Sequence, residues 1–317
     1  MANIVAALIV TAAAGLAALP AAAQGTAEVW PARPVRILVP YAPGGATDIT
    51  ARHFANRLNE VSGQPVVVDN RAGASGIIAL EMAAKSTADG YTLLVGNVST
   101  NAINESTFAH QMKFKPSQAL TGVSNLIELP HMFAASNTVP ANTMKEFVAW
   151  AKAQPAGKIN YGSSGVGSYP HLDGVRLARA AGFTATHIPY KGGAAQMLPG
   201  IASGEVQYML INLASGLPFV QANRIKAIAV TTEARLPQLP NVPTMAESGL
   251  PGIGTNAWNG LFAPAGVAKG TLAQIHARVQ ALMEAPQMKE TLAKSFMTVV
   301  VDKSPADFNA FVRKEVE

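Results

Sequence analysis

The sequence predicts an α/β protein of two lobes, each a mostly parallel sheet flanked by helices, and three observations carry that prediction. Residues 36–48 read RILVPYAPGGATD: an apolar β-type run (Ile37, Leu38, Val39) breaks at Pro40, passes Pro43, Gly44 and Gly45, and leads into a stretch where Ile49, Phe54 and Leu58 recur at helical spacing. The same order of pieces then occurs twice. RILVPYAPGGATD, VVVDNRAGASG (66–76) and YTLLVGN (91–97) in the first half match KINYGSSGVGS (158–168), THIPYKGGAA (186–195) and VQYMLIN (206–212) in the second. The intervals also agree, since Pro43 to Arg71 and Ser163 to Lys191 are both 28 positions. Each half thus reads strand, small-residue loop, helix, strand, basic residue with glycines, helix, and a strand ending in Asn. Two units of this kind leave a ligand cleft where the carboxyl ends of their strands face each other.

Taken along the chain, the first lobe is read over residues 30–126, with Val-, Ile- and Leu-rich strands of the sort buried on both faces. Its glycine loop reaches Thr47 or Asp48 as the expected helix cap. Residues 127–140 read as a crossover strand into the second lobe, read over 127–253, and Thr143 with Glu146 forms a capping box that opens a helix through Lys152. Arg224 to Val230 is another buried strand. The proline- and glycine-rich passage 234–254 carries the chain back. Residues 254–317 are read as a return to the first lobe with two amphipathic helices, one striped by Leu272, Ile275, Val279 and Leu282 and one capped by Ser304-Pro-Ala-Asp307 with Phe308 and Phe311 on its apolar side. Two crossings between discontinuous lobes make a hinge.

Chemistry follows from the loops. A strand–glycine–helix junction presents backbone N–H groups at the positive end of a helix, and glycine lets an anion approach without a Cβ in the way. An anionic ligand is the expectation. At 317 residues, 49% hydrophobic, the chain has material for two cores, and its net charge of +5 suits an acidic ligand as well as a plain basic surface. Basic residues are scattered without aromatic interleaving, which argues against nucleic acid. Residues 1–23 read as a signal peptide: Val5 to Leu19 is an apolar run, Pro20 ends it, and Ala21-Ala22-Ala23 sets the expected cleavage before Gln24. An uncleaved anchor is the rival reading of that run. Export with no cysteine suits a periplasmic fold that needs no disulfides.

These motifs, together with LPNVPTMAESGLPG and AWNGLFAPAG, resemble in order and spacing the Bug family of substrate-binding proteins, the TctC-like receptors of tripartite tricarboxylate transporters. The resemblance runs from about Trp30 to the C-terminus. It implies a type II-like periplasmic binding protein, a monomer, that holds a small carboxylate (an aliphatic di- or tricarboxylate, an amino acid or an aromatic acid) between its lobes, for delivery to membrane permease subunits or for sensing, with no catalysis, cofactor or metal. Carried onto this chain, the ligand loops fall at Tyr41, Pro43, Gly44, Gly45, Ala46, Thr47 and Asp48, and at Ser163, Ser164, Gly165, Gly167 and Ser168 with Tyr190, Lys191 and Gly192. Asn97, Ser99, Thr100 and Asn212 fall on the same cleft. Two features depart from the family pattern: no basic residue precedes the apolar run, and the chain stops at Glu317 soon after its last helix.

Each residue also has a plainer use. Asp48 can cap its helix, Arg71 can pair with Asp69 or Glu81, Lys191 can be solvated charge, both asparagines can close turns, and Trp258 can be core. The enzymatic alternative is an exported serine hydrolase using Ser168 and His171, three apart on one helical face. It lacks the G-x-S-x-G elbow, and the chain has no H-E-x-x-H zinc signature.

Overall fold

In the computed structural model, which describes residues 29–190, 193–255 and 257–317, the apolar run before the glycine loop is strand β1 (Val35–Val39) and the stretch behind the loop is helix α1 (Ala46–Ser62). The expected signal peptide lies outside the described residues. Gly63, left-handed at φ 68°, ends α1 by donating its N–H to Asn59 O. Strand β2 (Val66–Asn70), helix α2 (Ile77–Ala84) and strand β3 (Thr92–Asn97) complete the first unit. Two single turns, α3 (Asn104–Thr107) and α4 (Pro116–Ala119), lead to strand β4 (Leu120–Leu129). After Pro130 the chain enters β5 (His131–Ser136) and then α5 (Met144–Lys152). There Thr143 Oγ1 accepts from Glu146 N–H at 3.2 Å while the Glu146 carboxylate reaches back to Asn142 N–H at 2.8 Å.

The second unit repeats the first: β6 (Asn160–Ser163), α6 (Tyr169–Ala181), β7 (Thr186–Pro189), α7 (Ala194–Ser203) and β8 (Tyr208–Asn212). Helix α8 (Leu213–Gln221) and strand β9 (Ile225–Val230) follow. The C-terminal part contributes β10 (Ala257–Pro264), α9 (Lys269–Met283), α10 (Pro286–Lys294), the short β11 (Thr298–Val299) and α11 (Pro305–Val316). It therefore holds three helices where two were expected, because Pro286 starts a new helix directly after α9.

Two sheets result, ordered β11-β4-β10-β3-β1-β2 and β7-β6-β8-β5-β9. Within each unit the three strands are parallel with the first at the centre, so the repeat seen in the sequence is a repeat of topology. The expected mostly parallel sheets are found, with antiparallel insertions: β10 is antiparallel to both β3 and β4, and β5 is antiparallel to both β8 and β9, which makes each sheet mixed. The reason is geometric. β3 and β8 end at the cleft, so a strand that enters either sheet from the cleft must run against them. β5 does so from Pro130, opening with His131 opposite Asn212, and β10 does so with Asn259 opposite Asn97.

The first core lies on both faces of the six-stranded sheet, and two smaller clusters cover the faces of the five-stranded one. Phe308 of α11, fully buried, seats on the two glycines that β4 and β10 place beneath it: a Cβ built on Gly122 or Gly260 would come within 2.6 or 2.2 Å of its ring. Trp258, Phe262 and Phe311 surround that ring at 5.8, 5.2 and 6.2 Å between centroids. Replacing Phe308 by Ala should lower stability by about 3–5 kcal/mol, the usual cost of emptying a buried aromatic site. Urea denaturation checks this; a loss under about 1 kcal/mol would mean that α11 is dispensable for closing the first sheet.

Candidate ligand-binding site

A cavity of about 550 Å³, mouth included, lies between the sheets at the carboxyl ends of their parallel strands. Four helices begin at its wall. Gly45, Ala46 and Thr47 open α1; Tyr169 and Pro170 open α6; Gly193 and Ala194 open α7; and Asn212 precedes α8. The two lobes touch here, since a Cβ on Gly45 would lie 3.9 Å from Ala194 Cβ, and one on Gly193 would lie 3.3 Å from the Tyr41 ring.

The first-lobe loop is braced from behind. Helix α1 starts at Ala46 with Gly45 as its cap at φ −85°, earlier than the expected cap at Thr47 or Asp48. Asp48 sits inside the first turn and points away from the cavity. Its carboxylate accepts Gly44 N–H and Arg52 Nε at 2.9 Å each, and Asn70 Nδ2 at 2.9 Å. Burial alone would raise this carboxyl, but the hydrogen bonds from Arg52, Gly44 and Asn70 together outweigh it and hold the group below its ordinary range. Gly44, at φ 93°, occupies a conformation open to glycine, whereas Gly45 does not. Pro43 precedes them in the loop. Arg71 pairs with Asp69 at 2.8 Å, away from the ligand loops.

Beside the loop runs a chain of side chains that satisfy one another. Tyr41 OH lies 3.3 Å from Asn97 Oδ1, Asn97 Nδ2 donates to Thr47 Oγ1 at 3.4 Å, Thr47 donates to Asn259 Oδ1 at 3.3 Å, and Asn259 Nδ2 donates to Thr50 Oγ1 at 3.1 Å. Burial pushes the Tyr41 phenol up to about 12 against the pull of its bonds to Asn97 and Ser99, so it stays neutral. Thr100 lies under Asn97, its N–H donating to Asn97 Oδ1 at 3.2 Å, and Ser99 Oγ accepts the Tyr169 N–H from the other lobe at 3.0 Å.

In the second lobe Ser164 lines the cavity, while Ser163, Gly165 and Ser168 bond within the loop: Ser163 Oγ accepts Gly165 N–H at 3.1 Å and Ser168 Oγ donates to Gly165 O at 2.7 Å. Gly167 packs against Thr107 of the first lobe. Asn212 lines the cavity and caps α8 through Ser215 N–H at 2.8 Å. Tyr190 packs away from the cavity over Gly162 and Gly200. Lys191 and Gly192 lie outside the described residues. The Ser168–His171 pairing does not form, because Ser168 serves Gly165 O and His171 Nδ1 accepts Gly167 N–H at 3.2 Å.

Sequence reasoning missed several walls. Tyr169, Pro170, Met197, Leu210, Ile211, Ala257 and Asn259 also line the cavity. Tyr169 had a signal in its place directly after the Ser168 cap; the apolar residues had none, since buried strand ends look alike wherever they point. Trp258, read as core or wall, is both: it is buried, donates Nε1–H to Glu315 at 3.1 Å, and closes one side of the cavity. Among the described residues no charged side chain lines the cavity. What polarity it offers an anion comes from helix starts: α1 and α7 have no side-chain cap, whereas α6 spends Tyr169 N–H on Ser99 and α8 spends Leu213 N–H on Pro130 O at 2.8 Å.

A model of the tripartite tricarboxylate transporter family receptor, TctC, matches residues 50–317. The chain belongs to this family. It is 30% identical over 299 residues to BugT of Bordetella pertussis, covering 93% of this chain and 90% of BugT. Among solved structures, R. palustris Rpa4515 with adipate superposes with TM-score 0.85 at 33% identity, over 90% of this chain and 95% of that one. MatC (Rpa3494) from Rhodopseudomonas palustris with bound malate gives TM-score 0.84 at 29% identity, over 90% and 97%. The TctC family is one of solute-binding receptors, and the mixed α/β fold with two sheets is the fold of its periplasmic binding proteins.

Removing the brace of the receptor's first loop should be measurable. Asp48→Ala removes the acceptor of Gly44 N–H and of one Asn70 amide hydrogen, the Asn70 nitrogen keeping Tyr41 O, and should cost about 2 kcal/mol at pH 7. Because the folded carboxyl titrates below its ordinary value of 3.8, its contribution is present above that value and is lost as pH falls through the lower, folded one. Denaturation of both proteins from neutral to acidic pH should show the gap narrowing below about pH 4, where free carboxylates take up protons. A gap independent of pH would assign the loss to packing alone.

Proposed function

We propose that this chain is a periplasmic receptor that captures a small organic acid by its carboxylate, between a lobe of residues 30–126 with 254–317 and a lobe of 127–253. The observation that supports it is the meeting of two uncapped helix starts, α1 and α7, across a cavity without a charged side chain among the described residues. Backbone N–H groups at such ends receive an anion with no reorganisation, and the two macrodipoles add. Lys191, outside the described residues, precedes α7 in the chain. Met197, Leu210, Ile211 and Trp258 then receive the body of the acid.

Capture works by closure. An acid docked on α1 alone is held by one lobe; with α7 brought to it, the same carboxylate is shared, and the difference in affinity between the two states drives the lobes together. The acid leaves unchanged, for membrane subunits of a tripartite tricarboxylate-type transporter. Relatives solved with adipate and with malate support a carboxylate as the ligand class.

The test is a thermal-shift screen of malate, adipate, citrate, benzoate, glutamate and their neutral amides, followed by calorimetry of any hit. A ligand at 100 times its dissociation constant adds about 2.7 kcal/mol, enough to move the midpoint by several degrees. Acids should shift it and the matched amides should not; equal shifts would remove the carboxylate from recognition. Gly45→Val is the local test. Gly45 has negative φ and room for a Cβ, so the variant should fold, while its γ-methyl groups enter the gap to Ala194 and should weaken binding at least about tenfold, or about 1.4 kcal/mol. Unchanged affinity in a folded variant would move the carboxylate away from α1.

A further inference from the structure

Beside the cavity, on the second lobe, two histidines lie face to face. His171 in the first turn of α6 and His187 on β7 have ring centroids 4.1 Å apart, and Tyr161 of β6 stacks near both, at 6.2 and 5.1 Å. Each ring is tied to the loop between β6 and α6. His171 Nδ1 accepts the Gly167 N–H at 3.2 Å, so that nitrogen holds a lone pair. His187 Nε2 lies 2.5 Å from Ser163 Oγ, which in turn accepts the Gly165 N–H at 3.1 Å. The loop so held is the one that crosses to the first lobe: Val166 O accepts from Ser75 Oγ at 3.1 Å, Gly167 packs on Thr107 and Phe108, and Ser164 lines the cavity.

We infer that His171 and His187 are positioning residues which keep this loop in its ligand-holding shape only while both rings are uncharged, so that acidification loosens the loop and releases the ligand. A proton on His171 Nδ1 would set two N–H donors against each other where one bond now stands. A charge on His187 would face His171 at stacking distance, and the Tyr161 ring cannot neutralise it. On α6, the nearest carboxylate in the chain, Asp173, is committed to Thr255 at 2.9 Å and to Arg176 at 3.7 Å, so it offers neither imidazole a partner. On the facing turn of the first lobe, His110 bonds Gln111. Burial holds both rings below their ordinary range, His187 at about 4 with His171 adding to the effect. The loosened loop frees them toward the ordinary value of about 6.5, so the ligand-holding state binds fewer protons and is disfavoured as pH falls below it, by up to about tenfold in affinity per pH unit per proton.

This rests on the carboxylate-receptor reading, and the experiment separates the two. Affinities of malate, adipate, benzoate and glutamate are measured by calorimetry at pH 7.5 and 5.0 for the wild type and for the double variant His171→Asn/His187→Gln. The amide oxygen introduced by His171→Asn keeps an acceptor toward Gly167, and His187→Gln keeps reach to Ser163, but neither new side chain takes a proton. Protonation of the acid itself affects both proteins alike. The wild type should lose at least about fivefold more affinity than the double variant between the two pH values. Equal losses overturn the inference and leave the receptor reading standing; no acid bound by the wild type at pH 7.5 overturns both. Should the double variant fail to fold, NMR titration of the wild-type histidines decides, with midpoints for His171 and His187 expected lower with acid bound than without; coincident titrations refute the coupling.

Discussion

Drawing a carboxylate out of water costs free energy unless donors already stand ready for it, and the unpaired N–H groups in the first turns of helices are one such set. Under the proposed function, that constraint organises this molecule. For helix starts to meet in the interior, the parallel strands of both sheets must end there, and the loops after them must be small enough to let a ligand touch backbone. The six-stranded and five-stranded sheets meet that requirement from opposite sides with one topology used twice.

Polar side chains around the cavity serve this arrangement more than they serve the ligand. Tyr41, Asn97, Thr47 and Asn259 hold one another, which fixes the start of α1 against β3 and β10. Asp48 holds the turn before it. Loss of any member leaves a buried partner unsatisfied, and the penalty falls on the geometry of the amides. Among the described residues the cavity wall is neutral, so in the proposed reading preorganised dipoles supply the attraction there without the desolvation cost of burying a cation.

How much of this the sequence discloses depends on how far apart the cooperating residues are. The glycine loop, the repeated units and the capping box at Thr143 are local, and each is written in adjacent residues. The strand β10 is different: AWNGLFAP does not alternate, and although the Pro- and Gly-rich residues before it mark where it starts, its place between β3 and β4 is set by pairing partners far back in the chain, beyond the reach of local pattern. The mixed character of both sheets follows from that strand and from β5, and neither direction is a local property. The cap of α1 reads late in the sequence because a carboxylate reaching back to Gly44 from inside the first turn mimics one that caps from outside. Asn259 and Trp258 belong to the cavity only because β10 carries them there.

The position of β10 also orders events in time. The five-stranded sheet is made of one uninterrupted span, from His131 to Val230, and can assemble as soon as that span is available. The six-stranded sheet cannot, for its interior strand and the Phe308 that seals it come from the last part of the chain. The β1 to β4 strands, although made first, must wait with a vacant place between β3 and β4. A chain that emerges residue by residue therefore has every strand of its five-stranded sheet before the interior strand of its six-stranded sheet exists, and the closure of that sheet is the longer-range event.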